Sequence, residues 1–214
     1  MAEPQKILFQ DARFVVFDKP AGLPVHPTRR GGPSIEAFFP DISCRKDGPW
    51  LAHRLDTDTA GCLLVALRKA ALMAAQVEFV AGRVRKTYWA VVRGGPAKDS
   101  GEINSPLLRR TGPTGWRMTV DPKGQRAVTA WRVLGRAAGI TWLELRPRTG
   151  RTHQLRVHCA ALGFPIVGDP VYGDGVGQLH LLARALELDL GPPVTATAEP
   201  PAHMRVALVQ CGWT

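Results

Sequence analysis

Cys62-Leu63-Leu64-Val65-Ala66-Leu67 has no polar residue at any position, neither at the alternating spacing of a half-exposed strand nor on one face of a helix. A run of that length reads as a strand covered on both faces, so the chain has to build a sheet with other elements packed around it. Downstream, Leu72, Ala75, Phe79 and Val80 recur at helical spacing and Gly82 supplies a stop, which predicts a helix of about 13 residues. Arg13-Phe14-Val15-Val16-Phe17 and Thr87-Tyr88-Trp89-Ala90-Val91-Val92 are β-branched and aromatic, and read as strands. Val128 to Leu134 and Ile140 to Leu145 read as two more, with a turn from Gly135 to Gly139.

The remaining segments are shorter on signal. Lys19-Pro20-Ala21-Gly22-Leu23-Pro24-Val25-His26-Pro27 contains three prolines, which exclude a helix and predict a rigid loop. Ser34 to Phe39 is a helical candidate with Ser34 as its cap, and His153 to Leu162 is a short helix with Thr152 as cap and Gly163 as stop. Leu179 to Leu190 reads as strand or helix. Two or three helices among many strands indicate an α+β fold on a mixed or antiparallel sheet. The 214 residues suffice for one well-cored domain covering 1–214, or for two lobes sharing one sheet.

Composition narrows the function classes. No apolar run approaches the roughly 20 residues of a membrane span, and the N-terminus has no secretory pattern, so a cytoplasmic protein is expected. Cys44, Cys62, Cys159 and Cys211 lie far apart without a Cys-x-x-Cys pair, which argues against zinc and disulfides and for buried apolar cysteines. A formal charge of +10 and pI near 10.1 suit a polyanionic partner, against the plainer reading of a merely soluble basic protein. Between residues 101 and 127, Arg109, Arg110, Arg117, Lys123 and Arg126 stand among glycines and prolines, as in an exposed hairpin that either contacts RNA or is ordinary surface. The chain has no phosphate-cradling glycine loop and no Gly-x-Ser-x-Gly, and His153 and His158 are five apart rather than three or four, so neither cofactor nor metal is expected.

Polar clusters at the ends of apolar elements are the places to look for chemistry. Asp56 lies in Leu55-Asp56-Thr57-Asp58-Thr59-Ala60-Gly61, a turn that feeds the buried strand. A carboxylate there either caps its own turn or, with a cation such as Arg54 or Arg151 beside it, stays ionised and able to act as a nucleophile. Tyr88 belongs to the core or offers its ring to a flipped base.

Taken together the clusters resemble the motifs of the RluA-type pseudouridine synthases. Lys19 to Pro27 resembles the first motif, His53-Arg54-Leu55-Asp56 through Gly61 the catalytic loop, and Lys86-Thr87-Tyr88 the tyrosine strand. Thr149-Gly150-Arg151-Thr152-His153-Gln154-Leu155-Arg156-Val157-His158, continuing to Gly168-Asp169-Pro170, is the last and longest match. The resemblance implies a single α+β synthase core with a mixed, largely antiparallel sheet and a central catalytic cleft. It implies a cofactor-free isomerisation of uridine in structured RNA, ribosomal, transfer or both; a monomer is expected. Asp56 would be the nucleophile, Tyr88 would stack on the extruded base, Arg151 would pair with Asp56, and Arg54 would enter the space the base leaves. His53, Thr152, Gln154, Arg109 and Arg110 complete the expected substrate-binding set. Ala60 departs from the family's usual serine, and the chain starts too close to its first core strand for the small N-terminal RNA-binding domain of many relatives. The competing readings are a catalytically silent RNA-binding factor on the same fold and a nucleic-acid hydrolase, for which the metal-binding carboxylates are missing.

Overall fold

The computed structural model describes residues 5–28, 31–45, 47–113 and 115–214. In chain order the elements begin with strands β1 (Ile7–Gln10) and β2 (Phe14–Lys19), then a 3-10 turn (Ile35–Phe38) running into the short helix α1 (Phe39–Ile42). Next come β3 (Trp50–Leu51), β4 (Ala60–Ala66), helix α2 (Lys69–Val80), β5 (Arg85–Arg93), β6 (Ser100–Asn104), β7 (Leu107–Gly112) and β8 (Gly115–Val120). The chain ends with β9 (Val128–Ala137), β10 (Ile140–Pro147), α3 (Gln154–Ala161), β11 (Leu181–Leu188), β12 (Val194–Thr197) and α4 (Ala202–Gln210). The fold is α+β with mixed, largely antiparallel strand pairing. Two compact units account for it, Met1–Lys86 with Leu182–Pro200 and Thr87–Leu181 with Pro201–Thr214.

The first unit is organised by the apolar run. All seven residues of β4 are buried, and β2 pairs with it antiparallel from Phe14 opposite Ala66 to Lys19 opposite Gly61. Phe14, Val15, Val16 and Phe17 are at most 1% exposed. The turn before β2 is closed by Asp11, whose Oδ1 accepts the amides of Arg13 and Phe14, both at 2.7 Å. On its other edge β4 pairs antiparallel with β3 and parallel with β11, the latter through Ala60 and Gly61 opposite Leu182 and Ala183. Gly61 is required at that crossing: its φ is 104°, and a Cβ there would stand 2.3 Å from the Ala183 carbonyl oxygen. β12 extends the sheet antiparallel along β11.

In the second unit β5, β10, β9 and β6 pair antiparallel in that order, with a bulge opposite Trp142 and Leu143. α3 is buried at six consecutive residues, Gln154 to Cys159. Its apolar members Leu155 and Cys159 join Ala90, Val92, Leu143 and Leu145 in one core. β7 and β8 form a separate two-stranded ribbon whose register runs from Leu107 opposite Val120 to Gly112 opposite Gly115.

Several local expectations are corrected. Ser34 makes no capping hydrogen bond, and the chain there forms a 3-10 turn before it becomes α-helical at Phe39. α3 is entered from His153 in a left-handed conformation rather than from Thr152. Gly135 lies inside β9 and not in a turn, because a Cβ there would meet the Cys211 carbonyl oxygen at 1.7 Å. Among the described residues there are four α-helices; α4, β6 and β12 carry no sequence signal strong enough to have been expected. Val80 is 90% exposed although its spacing fits the inner face of α2. Cys62, Cys159 and Cys211 are buried as expected, but Cys44 is exposed. No helix among the described residues is long and apolar enough to cross a membrane.

One charged pair lies inside the second unit. The Arg156 guanidinium donates to both carboxylate oxygens of Asp169, at 2.8 and 2.7 Å, and their side chains are 4% and 0% exposed. Oδ1 of Asp169 also accepts the amides of Val171 and Tyr172, so one carboxylate closes a turn and neutralises a buried cation. Burial works to raise the Asp169 pKa, but Arg156 and the two amides outweigh it and hold it below the ordinary 3.8. A carboxyl lowered in this way contributes stability above its unfolded value, and that contribution is lost as pH falls from about 4 through the lowered folded value. Asp169→Ala should cost about 3 to 5 kcal/mol in urea denaturation at pH 7 by leaving a buried guanidinium without its partner. The gap to the wild type should narrow as the same measurement is taken below pH 4.

Candidate active site

In the first unit the conspicuous carboxylate is Asp56, on the loop between β3 and β4. Leu55 and Thr59 are buried at 7% and 3% exposure and pin the loop, Asp56 is half-buried between them, and Arg54 is exposed. The Asp56 carbonyl accepts the Thr59 amide at 3.1 Å, closing a tight turn.

What holds this loop is Lys19. Its side chain is 0% exposed, and the ammonium donates to the carbonyl oxygens of Pro20 at 2.9 Å, Leu23 at 2.8 Å and Thr57 at 2.7 Å. The Thr57 carbonyl also accepts the Gly22 amide at 2.9 Å, where the chain turns with φ 84°. The proline-rich loop and the Asp56 loop are therefore fastened to each other by one buried cation and one amide. Burial lowers the Lys19 pKa to about 8, with Asp58 and Asp56 partly offsetting it, so the ammonium is charged at neutral pH. A lysine that ends an apolar strand and precedes a proline was the available signal for this role.

His53 is anchored within the same unit. Its Nε2 accepts the Leu64 amide at 3.0 Å and its ring lies 5.2 Å from that of Phe79. Burial, reinforced by the Lys86 charge, lowers its pKa to about 4, so the imidazole is neutral. Its ring supports β4 at Leu64, in the second half of the strand.

In the second unit Tyr88 lies on β5 opposite Leu145, half-buried and packed against the core that contains Leu145 and Leu155. Arg151 is exposed, in a turn closed by the Gln154 amide on the Arg151 carbonyl at 3.1 Å. Its amide donates to Gln154 Oε1 at 3.0 Å and its Nε to the Arg126 carbonyl at 3.1 Å. Gln154 is 3% exposed and its amide group is fully engaged, with Oε1 also accepting from Thr149 Oγ1 and Nε2 donating to Val128 O and Thr129 Oγ1. Gln154 thus shapes the turn that carries Arg151, and the exposed neighbour is Thr152. His158 is a core histidine between Thr129 Oγ1 and the Ser105 carbonyl.

The expected basic hairpin is β7 with β8. Arg109, Arg110 and Arg117 are exposed on it; Arg110 pairs with Asp121, and the Arg109 guanidinium lies 4.6 Å from the ring centre of Trp116. Sequence reasoning missed Trp116, whose signal was a lone tryptophan in an otherwise polar ribbon. Among the described residues no group of three or more His, Cys, Asp or Glu side chains could hold a metal ion.

Comparison with known proteins supplies the family. The family model described as RNA pseudouridylate synthase matches residues 13–161. A protein of Zymomonas mobilis named only as an uncharacterized RNA pseudouridine synthase is 44% identical over 204 residues, covering 92% of this chain and 93% of the relative. The ribosomal large subunit pseudouridine synthase D of the same organism is 33% identical over 193 residues, 86% of this chain but 60% of its own length. Among solved structures, human RNA pseudouridylate synthase domain containing 4 superposes with a TM-score of 0.80 at 29% identity, covering 96% of this chain and 92% of that one. With a match of that extent in sequence and in fold, this chain belongs to the RNA pseudouridylate synthase family and is an enzyme that isomerises uridine in RNA to pseudouridine.

Proposed function

We propose that Asp56 is the nucleophile of this isomerisation and that the substrate is a structured ribosomal or transfer RNA, which would act in the cytoplasm. The observation that carries the first part is the Lys19 staple: a half-buried carboxylate sits on a loop fastened through the Thr57 carbonyl to an ammonium that also holds the Pro20 and Leu23 carbonyls of the proline-rich loop. Rigid placement of a reacting group is worth several orders of magnitude in rate, so a loop fastened in this way suits a nucleophile better than a surface charge. The second part is supported by the formal charge of +10, by the exposed arginines of the hairpin, and by the ribosomal target in the name of a relative.

The reaction is redox-neutral. The bond from the ribose C1′ to uracil N1 breaks, the base turns, C1′ bonds to C5, the proton on C5 departs, and N1 ends with a proton. Asp56 attacks either the anomeric carbon or the uracil ring and is released unchanged, which requires it to be ionised. Tyr88 would stack on the extruded base, Arg151 would supply a guanidinium to the reaction, and Arg54, exposed two residues before the nucleophile, would fill the gap in the RNA stack. Thr152, Arg109 and Arg110 would meet the phosphates. His53 and Gln154 would serve binding through the backbone they hold, since their polar atoms are engaged internally.

Asp56→Asn should reduce pseudouridine formation on RNA from a strain lacking the gene by on the order of a thousand-fold or more, with RNA affinity and melting temperature retained. Wild-type turnover in that variant would rule out Asp56 as the nucleophile. Mapping pseudouridines with and without the gene identifies the RNA.

Lys19→Met should lower turnover by about 10- to 100-fold without abolishing binding, because the loop loses its staple while the chemistry keeps its groups. Since the folded pKa of about 8 lies below the ordinary 10.5, the wild type carries a buried charge at a cost at neutral pH. That cost is relieved as pH rises from 8 towards 10.5, so wild-type stability relative to Lys19→Met should increase by about 3 kcal/mol across this window in denaturant titrations.

A further inference from the structure

Within the second unit His153 stands where the turn of Arg151, the start of α3 and the basic hairpin meet. It is the one non-glycine residue with positive φ among those described, at 53°. Side chains other than glycine's adopt that conformation reluctantly, and it persists where surrounding contacts impose it. Those contacts are visible. Trp116 of β8 lies against the imidazole with ring centres 5.1 Å apart and planes 30° from parallel, and Nδ1 of His153 is 2.9 Å from the Tyr172 hydroxyl. Tyr172 also accepts the Met118 amide from β8 at 3.0 Å, and its ring lies 5.3 Å from the guanidinium of Arg156, the arginine locked to Asp169.

The register of the hairpin explains why Trp116 reaches this spot. Arg109 faces Met118 and Thr111 faces Trp116 across the ribbon, so alternation puts Leu107, Arg109, Met118 and Trp116 on one side and Arg110 and Arg117 on the other. Leu107 is packed with Val157 of α3, Met118 and Tyr172, which identifies the first side as the one turned to the helix. At its base the hairpin is tied to Gln125 by two backbone hydrogen bonds with Leu107, at 2.9 and 2.8 Å. Further out, the stack of Arg109, Trp116 and His153 is what the ribbon rests on.

We propose that Trp116 and His153 are positioning residues that couple the posture of the basic hairpin to the turn carrying Arg151. His153 lies inside the hydrogen-bonded turn from Arg151 to Gln154, so its left-handed backbone is part of what aims Arg151. Trp116 presses on the side chain of that same residue. An RNA that draws in the hairpin through its arginines tightens the stack and with it the turn, and an RNA that leaves the hairpin idle gains nothing. Selection among RNAs then acts on turnover and not only on affinity. The consequence for catalysis rests on the assignment of Arg151 above; the coupling itself does not.

The test uses the full chain and ribosomal RNA extracted from cells lacking the gene. Trp116→Ala, Trp116→Phe, His153→Asn and the Trp116→Ala/His153→Asn double variant are compared by amide hydrogen exchange over residues 149–157 and by steady-state kinetics. Asparagine tolerates the left-handed conformation but cannot supply the stacked ring. Trp116→Ala should speed exchange at Arg151 and Gln154 and lower kcat about 10- to 100-fold with KM little changed, as for a misplaced catalytic group. Trp116→Phe should restore both, and the double variant should be no worse than the worse single one. Unchanged exchange in Trp116→Ala, additive losses in the double variant, or a rise in KM with kcat intact, as expected of a simple RNA contact, would each overturn the coupling. Because Trp116 is 42% exposed, its variants keep the test valid even if His153→Asn folds poorly. Arg151→Ala is measured beside them: full turnover there, together with faster exchange in Trp116→Ala, would overturn the role of Arg151 and leave the coupling standing.

Discussion

The buried ammonium of Lys19 is the contact on which the placement of the loop of Asp56, the proposed nucleophile, depends. A lysine with no solvent exposure has to be compensated, and here three carbonyl oxygens from two loops do so. The constraint acts in both directions: the loops satisfy the cation, and the cation forbids them to separate, because each carbonyl that withdraws leaves a buried charge less well solvated. The prolines on one side and the Gly61 crossing on the other narrow what remains of the freedom of these segments. The backbone that carries Asp56 takes its position from this arrangement.

The second unit solves the corresponding problem with neutral groups. Gln154 uses every hydrogen-bonding position of its amide inside the protein, and in doing so fixes the turn whose first residue is Arg151. A charged group in that buried place would perturb Arg151, proposed to act on the RNA; an amide shapes the backbone and adds no net charge. The cation that is buried nearby, Arg156, is neutralised by Asp169 and its paired amides. Charge that is free to meet RNA therefore lies on the surface, while charge inside is matched.

How much of this could be read in the residues differs by element. β4 was legible because an all-apolar run of strand length has few other fates, and β7 with β8 because clustered arginines among glycines suit an exposed ribbon. The placement of Asp56 and Arg151 on loops at strand and helix ends also followed from local chemistry. Gly135 misled because its reason is tertiary: the close approach of the Cys211 carbonyl, distant in sequence, demands a missing side chain within a strand. The start of α3 misled for the same kind of reason, since Thr152 is the better cap by propensity but the stack on His153 imposes a left-handed residue there. Val80 is exposed despite its periodicity, which no feature of the first unit explains.

Gln154 and Lys19 illustrate what a motif conceals. Both sit inside recognisable polar clusters, and a polar residue in such a cluster invites assignment to the substrate. Burial separates the two possibilities: a side chain at 3% or 0% exposure with every donor and acceptor matched inside the fold has nothing left to offer a ligand, whereas Arg54, Arg151 and Thr152 are exposed. A sequence alone cannot make that distinction, because it depends on which backbone carbonyls come within reach of a side chain. The polar residues of these loops thus divide into those that face outward and those that hold the outward-facing ones still. Uracil must be detached and rejoined without escaping, so on the proposed assignment the second group serves the isomerisation as much as the first.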